Sequence, residues 1–155
     1  MRKVRIENCP EGQDEIVIRC SFVTPSVERL RDALDKGENL RYADDMALTL
    51  GDREYFIAIK DILFFESADK NTAAHTGDKM YYTDMKLFEL TDSLPPYFMR
   101  VSKSTIANLK AISSVRRDVT GLCEAFFDGS PKKIYVSRMY YKPFREKLSE
   151  IRLNN

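Results

Sequence analysis

Three turn signals, Gly51-Asp52, Gly77-Asp78 and Asp128-Gly129, divide much of the chain into short apolar runs. Glycine reaches the left-handed backbone that tight hairpins need, and aspartate supports such turns with its side chain. Runs of about three to six residues between such turns suit antiparallel strands better than helices. Strands are therefore predicted at Ala47–Leu50 and Tyr55–Ile59, at Thr72–Thr76 and Met80–Thr83, and at Leu122–Phe127 and Ile134–Val136. A further strand is expected at Ala111–Arg116. Ile62-Leu63-Phe64-Phe65-Glu66 is a nearly unbroken apolar run, so both of its faces are expected to be covered.

Helices are few. Thr24-Pro25-Ser26 reads as a helix start, with Thr24 as the cap and Pro25 at the first helical position. Val27, Leu30 and Leu34 then share one face, and Gly37 is the expected stop. Thr83-Asp84 is expected to cap a second helix carrying Leu87, Leu90 and Leu94 on its inner stripe. Phe144, Leu148 and Ile151 mark a last helix. Proline suits a first turn and breaks an interior, so Pro143 places the start of that helix near Lys142. Arg138–Lys142 is then expected as a turn or kinked segment. Ahead of all this, Val4, Ile6 and Ile16-Val17-Ile18 suggest two strands around the turn Glu11–Asp14. The expected fold is mainly β with few short helices: a β-β-α segment over residues 1–44, then a β domain over 45–155. The first segment is too small for an independent core, which makes it the candidate dimerisation element.

Composition narrows the function classes. The 155 residues are 43% hydrophobic, with 9 Phe and 8 Tyr, enough for a core. Cys9, Cys20 and Cys123 are odd in number and lack CxxC spacing, which argues against a disulfide framework or zinc site and suits a cytoplasmic protein. The charged N-terminus does not read as a signal peptide, and no apolar run is long enough to span a membrane. The single histidine, His75, has no HxxxH or HxxE partner, and there is no GxGxxG or Walker loop. Ser67–Lys70 and Ser130–Lys133 have Ser-x-x-Lys spacing without companion motifs. No reaction is indicated, so neither catalysis nor a cofactor is expected.

Charge is uneven. Residues 99–155 hold 12 Lys+Arg against 5 Asp+Glu, a net of +7, while residues 1–98 hold 13 against 19, a net of −6. An anionic partner for the basic part follows, unless the two parts simply neutralise each other. Within Met99–Asn108, the residues Arg100, Ser102, Lys103 and Ser104 offer donors suited to phosphate oxygens and base edges. Lys132-Lys133 and Arg138-Met-Tyr-Tyr-Lys142 add cations and two tyrosines. The bland alternative is a solvated surface with Arg100 paired to a carboxylate.

From about Ala47 to Leu148 the chain resembles the LytTR-type DNA-binding domain of bacterial transcription regulators. The matching pieces are Ile62–Ser67, Leu87-Phe88-Glu89-Leu90 with Leu94-Pro95, Phe98–Leu109, and Val136-Ser137-Arg138 with Tyr140. Their order and spacing make the match specific. The resemblance implies small antiparallel sheets with little helix, and loops and strand ends that enter successive major grooves. It places DNA contacts at Lys70 and Asn71, at Ser102, Lys103 and Ser104 after Arg100, and at Arg138 with Tyr140 and Lys142 as helpers. Asn108 also matches, and is read as a turn-former bonding backbone. Two departures stand out: Ala107 replaces a larger β-branched residue, and Met139 replaces a common second cation. The 44 or so residues ahead are too few for a doubly wound receiver, so the resemblance is to short regulators without phosphorelay control. A single small module reads few base pairs, so a homodimer on double-stranded DNA with repeated half-sites is expected; the resemblance also allows a small membrane protein as regulatory partner. The competing expectation is a β-rich protein- or RNA-interaction module, disfavoured because Phe64, Phe65, Phe126 and Phe127 read as core or strand pairs.

Overall fold

Phe64 and Phe65 are neighbours in sequence and both are buried, at 5% and 0% exposure. Successive strand residues point to opposite faces, so this strand needs a core on each side. The architecture supplies two. In the computed structural model, which describes residues 17–35 and 44–153, the chain divides into two compact units, Met1–Asn39 and Leu40–Asn155.

In the first unit, helix α1 spans Pro25–Asp35. Thr24 caps it as expected: its carbonyl accepts from Val27 and Glu28 N–H at 2.9 and 3.0 Å, and its Oγ1 accepts from Val27 N–H at 3.4 Å. None of its residues is buried. Val4, Ile6, Ile16, the turn Glu11–Asp14 and the stop Gly37 lie outside the described residues. Val17 and Ile18 carry no regular structure, so the second expected strand does not extend to them.

Among its described residues the second unit has ten strands: β1 (Asp45–Leu50), β2 (Arg53–Ala58), β3 (Phe64–Ala68), β4 (Asn71–His75), β5 (Met80–Thr83), β6 (Phe98–Ser102), β7 (Thr105–Asn108), β8 (Ile112–Arg117), β9 (Cys123–Phe127) and β10 (Lys133–Val136). A seven-stranded sheet has the order β2-β1-β5-β4-β3-β7-β6, and a three-stranded sheet the order β10-β9-β8. All pairs are antiparallel. Leu50 pairs with Arg53, closing a two-residue turn for which Gly51 takes φ +65°. The expectation of a mainly β chain with antiparallel sheets and few helices holds.

The strands at the centre of the large sheet separate two cores. Phe64, Val101 and Ala107 pack with Ala125 and Phe127 of the small sheet and with Phe144. Phe65, Ala74, Tyr81 and Ile106 pack with Leu48 and with Leu90 of helix α2 (Leu87–Ser93). Burying a phenylalanine such as Phe65 contributes about 2–3 kcal/mol. The covered-on-both-faces reading of the Phe64-Phe65 run therefore holds.

Two sequence expectations are corrected. Thr83 does not cap α2; its Oγ1 accepts from Met85 N–H at 3.3 Å, and the helix starts after Lys86, whose N–H donates to the Glu89 carboxylate at 2.7 Å. Arg138–Lys142 is not a turn: helix α3 runs Arg138–Leu153 with Pro143 inside it. Proline at this sixth helical position removes only the N–H that would reach Met139. Against that loss stand the bond from Tyr140 N–H to Ser137 O at 3.0 Å and the burial of Phe144 and Leu148, with Tyr140 and Tyr141 packed beside them.

Candidate nucleic-acid interface

The large sheet places two cationic turns side by side. Ala68 pairs with Asn71, leaving Asp69 and Lys70 as the β3–β4 turn, with Asp69 at φ +45°. Ser102 pairs with Thr105, leaving Lys103 and Ser104 as the β6–β7 turn, and the ladder shifts register between Arg100 and Ser102. β3 is hydrogen-bonded to β7, and Ser67 N–H donates to Ser104 O at 2.9 Å, so both turns lie at one end of the sheet. Ser137 N–H donates to Val101 O at 2.9 Å, which ties the start of α3 to the same β6 edge. Lys70, Asn71, Lys103, Ser104, Arg138 and Lys142 are all exposed, and Ser102 is half-buried. The three segments assigned from sequence are thus neighbours.

The two sheet turns are braced through their backbone carbonyls. Lys86 Nζ donates to Lys70 O at 2.5 Å. Arg100 donates from Nε to Ser102 O at 3.2 Å and from Nη2 to Lys103 O at 2.5 Å. The half-buried Arg100 guanidinium therefore shapes the turn from which Lys103 projects; it pairs with carbonyls rather than a carboxylate. Ser102 Oγ accepts from Ser104 N–H at 3.2 Å, tightening the same turn. Arg138 Nη2 donates to Thr120 O at 3.3 Å. Among the described residues, no ion pair engages Lys70, Lys103, Arg138 or Lys142. Asp69 is the one carboxylate within the two turns.

Two sequence-assigned groups are held by the fold in ways the sequence did not show. Tyr140 is half-buried against the Phe144 core, which holds α3 in place. Lys132 and Lys133 are not beside the interface cations. Lys132 Nζ donates to Thr76 O at 2.8 Å and Lys79 O at 2.6 Å, around the β4–β5 turn at the opposite end of β4. Burial holds its amine below the usual lysine range. Lys133 Nζ lies 2.6 Å from Glu124, a buried carboxylate that also binds Arg116, and these two partners hold Glu124 below the ordinary carboxylate range. Asn108 is buried as a backbone clamp: Oδ1 accepts from Lys110 N–H at 3.1 Å, and Nδ2 donates to Ile62 O at 2.9 Å.

Sequence reasoning missed Lys86, the Asp118–Leu122 turn and Arg145. With α3 starting at Arg138, Lys142 and Arg145 follow it at i+4 and i+7, one exposed stripe of a helix. That spacing was visible in the chain; Pro143 concealed it. Arg117 packs its guanidinium 4.7 Å from the Tyr141 ring, so it leans on α3 from the β8 side.

Comparison with known proteins bears on the fold that carries these turns. Residues 52–149 match the LytTr DNA-binding domain family. A Staphylococcus aureus (strain MSSA476) protein described as an HTH-type transcriptional regulator is 32% identical over 145 residues, covering 92% of this chain and 94% of its own length. A relative with the same description from strain NCTC 8325 is 28% identical over the same shares. The LytTr DNA-binding domain of a Bacillus cereus protein, described as a methyl-accepting/DNA response regulator, superimposes with a TM-score of 0.63 at 22% identity. It covers 68% of this chain and 97% of that domain. Among the described residues no two helices follow one another without strands between them. By the matched residues and the strand architecture together, the chain belongs to the LytTr DNA-binding domain family.

Proposed function

We propose that this protein is a cytoplasmic, sequence-specific regulator of transcription that reads duplex DNA with turns and a helix start. The single observation that carries this reading is the joining of three exposed cationic segments, 70–71, 102–104 and 138–142, at one end of the sheet by two backbone hydrogen bonds. Lysines there suit phosphates as point charges, while the planar fork of Arg138 suits the paired acceptors on a guanine edge. Lys70 and Lys103 would position the duplex, and Arg138 would read it.

Affinity should fall steeply with salt, because each neutralised phosphate releases counterions. Four such contacts predict a loss of about a hundredfold between about 50 and 200 mM salt. The test is selection of bound duplexes from random DNA, followed by titration at several salt concentrations. A flat salt response, or equal affinity for every duplex, would favour the protein- or RNA-interaction alternative.

The same reading includes a homodimer on repeated half-sites, since one small module covers few base pairs. Helix α1 has Val27, Leu30 and Leu34 on one face and buries no residue, which supports residues 1–44 as the dimer element. Light scattering of the whole chain and of a 45–155 fragment tests this; two monomers, with and without DNA, would end the idea. A small membrane protein as regulatory partner is tested by co-purification from membranes.

A further inference from the structure

We propose that Asp118 is a positioning residue for Arg138, acting through the β8–β9 turn. This rests on the reading of Arg138 as a base contact. Arg138 is exposed, and an exposed arginine samples many rotamers unless something holds it. Thr120 O holds it, accepting from Nη2 at 3.3 Å and leaving the other guanidinium donors for a ligand.

That carbonyl is useful only if its turn is fixed, and apolar packing does not fix it. Val119 is fully exposed and Leu122 is 44% exposed. One carboxylate oxygen does the work instead. Asp118 Oδ1 accepts from Thr120 N–H at 2.9 Å, from Thr120 Oγ1 at 2.6 Å and from Leu122 N–H at 2.9 Å. The backbone adds Asp118 N–H to Leu122 O at 3.0 Å and Gly121 N–H to Asp118 O at 3.1 Å. Gly121 sits at φ +85°, where side chains are strained. The Thr120 hydroxyl, with the N–H groups of Leu122 and Thr120, holds the Asp118 carboxyl below the ordinary range, so it is ionised at neutral pH.

An ionised carboxylate beside the interface should repel phosphates. Electrostatics and positioning therefore predict opposite effects of removing it. Loss of charge alone tightens binding to every duplex alike. Loss of positioning lowers preference for the correct duplex.

The experiment measures the affinity ratio between the selected and a scrambled duplex, using the whole chain. Asp118→Ala should lower this ratio about fivefold, the worth of one net hydrogen bond, while scrambled-duplex affinity holds or rises. Asp118→Asn keeps an acceptor oxygen and should retain most of the ratio. In an Arg138→Ala background, Asp118→Ala should change the ratio less than about twofold, because its target is gone. An unchanged ratio in Asp118→Ala overturns the proposal. So does an equal loss in the Arg138→Ala background, which would make the turn a contact in its own right. A uniform loss on both duplexes with a lower melting temperature would reduce Asp118 to scaffold. If the unaltered protein shows no preference among duplexes, the reading of Arg138 as a base contact fails first.

Discussion

At one end of the large sheet, Lys70 and Lys103 stand exposed on turns that other side chains brace. At the other end, Lys132 is folded back onto two carbonyls, Ser130 Oγ donates to Gly77 O at 2.8 Å, and Asn108 clamps the chain around Ile62. Both ends are rich in cations and hydroxyls. They differ in where the hydrogen bonds go. At the first end the bracing groups are Lys86 and Arg100, and the turn lysines are left over. At the second, the lysine is itself the brace. Net charge counts the two alike, so it identifies a basic half without locating a binding face.

The comparison breaks most sharply at Asn108. Asn108→Ala strips partners from Ile62 O, Lys60 O and Lys110 N–H in a buried site, which should cost about 2–4 kcal/mol of stability. Urea denaturation measures it. The DNA preference of the folded fraction should not change; a changed preference would mean the two ends are coupled.

His75 gives the same end a pH response. Its ring stacks on Phe64 with centroids 4.1 Å apart, and burial first, then the Lys132 charge, lowers its pKa to about 4. Glu66, 3.6 Å away and half in solvent, opposes this only weakly. The unfolded chain, with an ordinary value near 6.5, binds more protons between those two values. This contribution is therefore whole above pH 6.5 and lost as pH falls toward 4, amounting to about 2–3 kcal/mol by pH 4.5. Denaturation of the unaltered protein and of His75→Phe at pH 7.5 and 4.5 checks it: the variant should lose less.

Arg138 and Lys132 form a crossed pair. Arg138→Ala should cost about 1–3 kcal/mol in specific binding and about half a kcal/mol or less in stability. Lys132→Ala should do the reverse, costing about 1–2 kcal/mol in stability by stripping Thr76 O and Lys79 O of a donor, with binding unchanged. Parallel losses in the two variants would erase the distinction between the ends.

The smallest effect sharpens the contact map. Lys103→Ala should lower the salt slope of binding by about one, as expected for one phosphate contact. Lys147, paired to Glu150 at 3.4 Å on α3, is the control; Lys147→Ala should leave the slope alone.

How far these ends were legible in the chain depends on the range of the interactions. Local patterns gave the hairpins around Gly51, Gly77 and Gly129, and the doubled burial of Phe64 and Phe65 was visible as an unbroken apolar run. Lys132 was misjudged because its partners are 53 and 56 residues away, and no window around Lys132-Lys133 contains them. The partners of the buried Glu124 lie eight and nine residues off, on adjacent strands, and only strand pairing brings them to it. The start of α3 was hidden by a local rule that tertiary packing overrides, since Phe144 and Leu148 hold Pro143 inside a helix it would break in isolation.

The strand covered on both faces has a consequence for how recognition behaves in time. β3 carries one of the two cationic turns at its end and bonds directly to the strand that carries the other. It cannot lift away without opening both cores, so its amides should exchange with solvent only through global unfolding. The turns mounted on it are therefore fixed relative to one another before any DNA arrives. On the proposed reading, association with DNA would then order side chains and solvent rather than backbone, which would keep its entropic cost low.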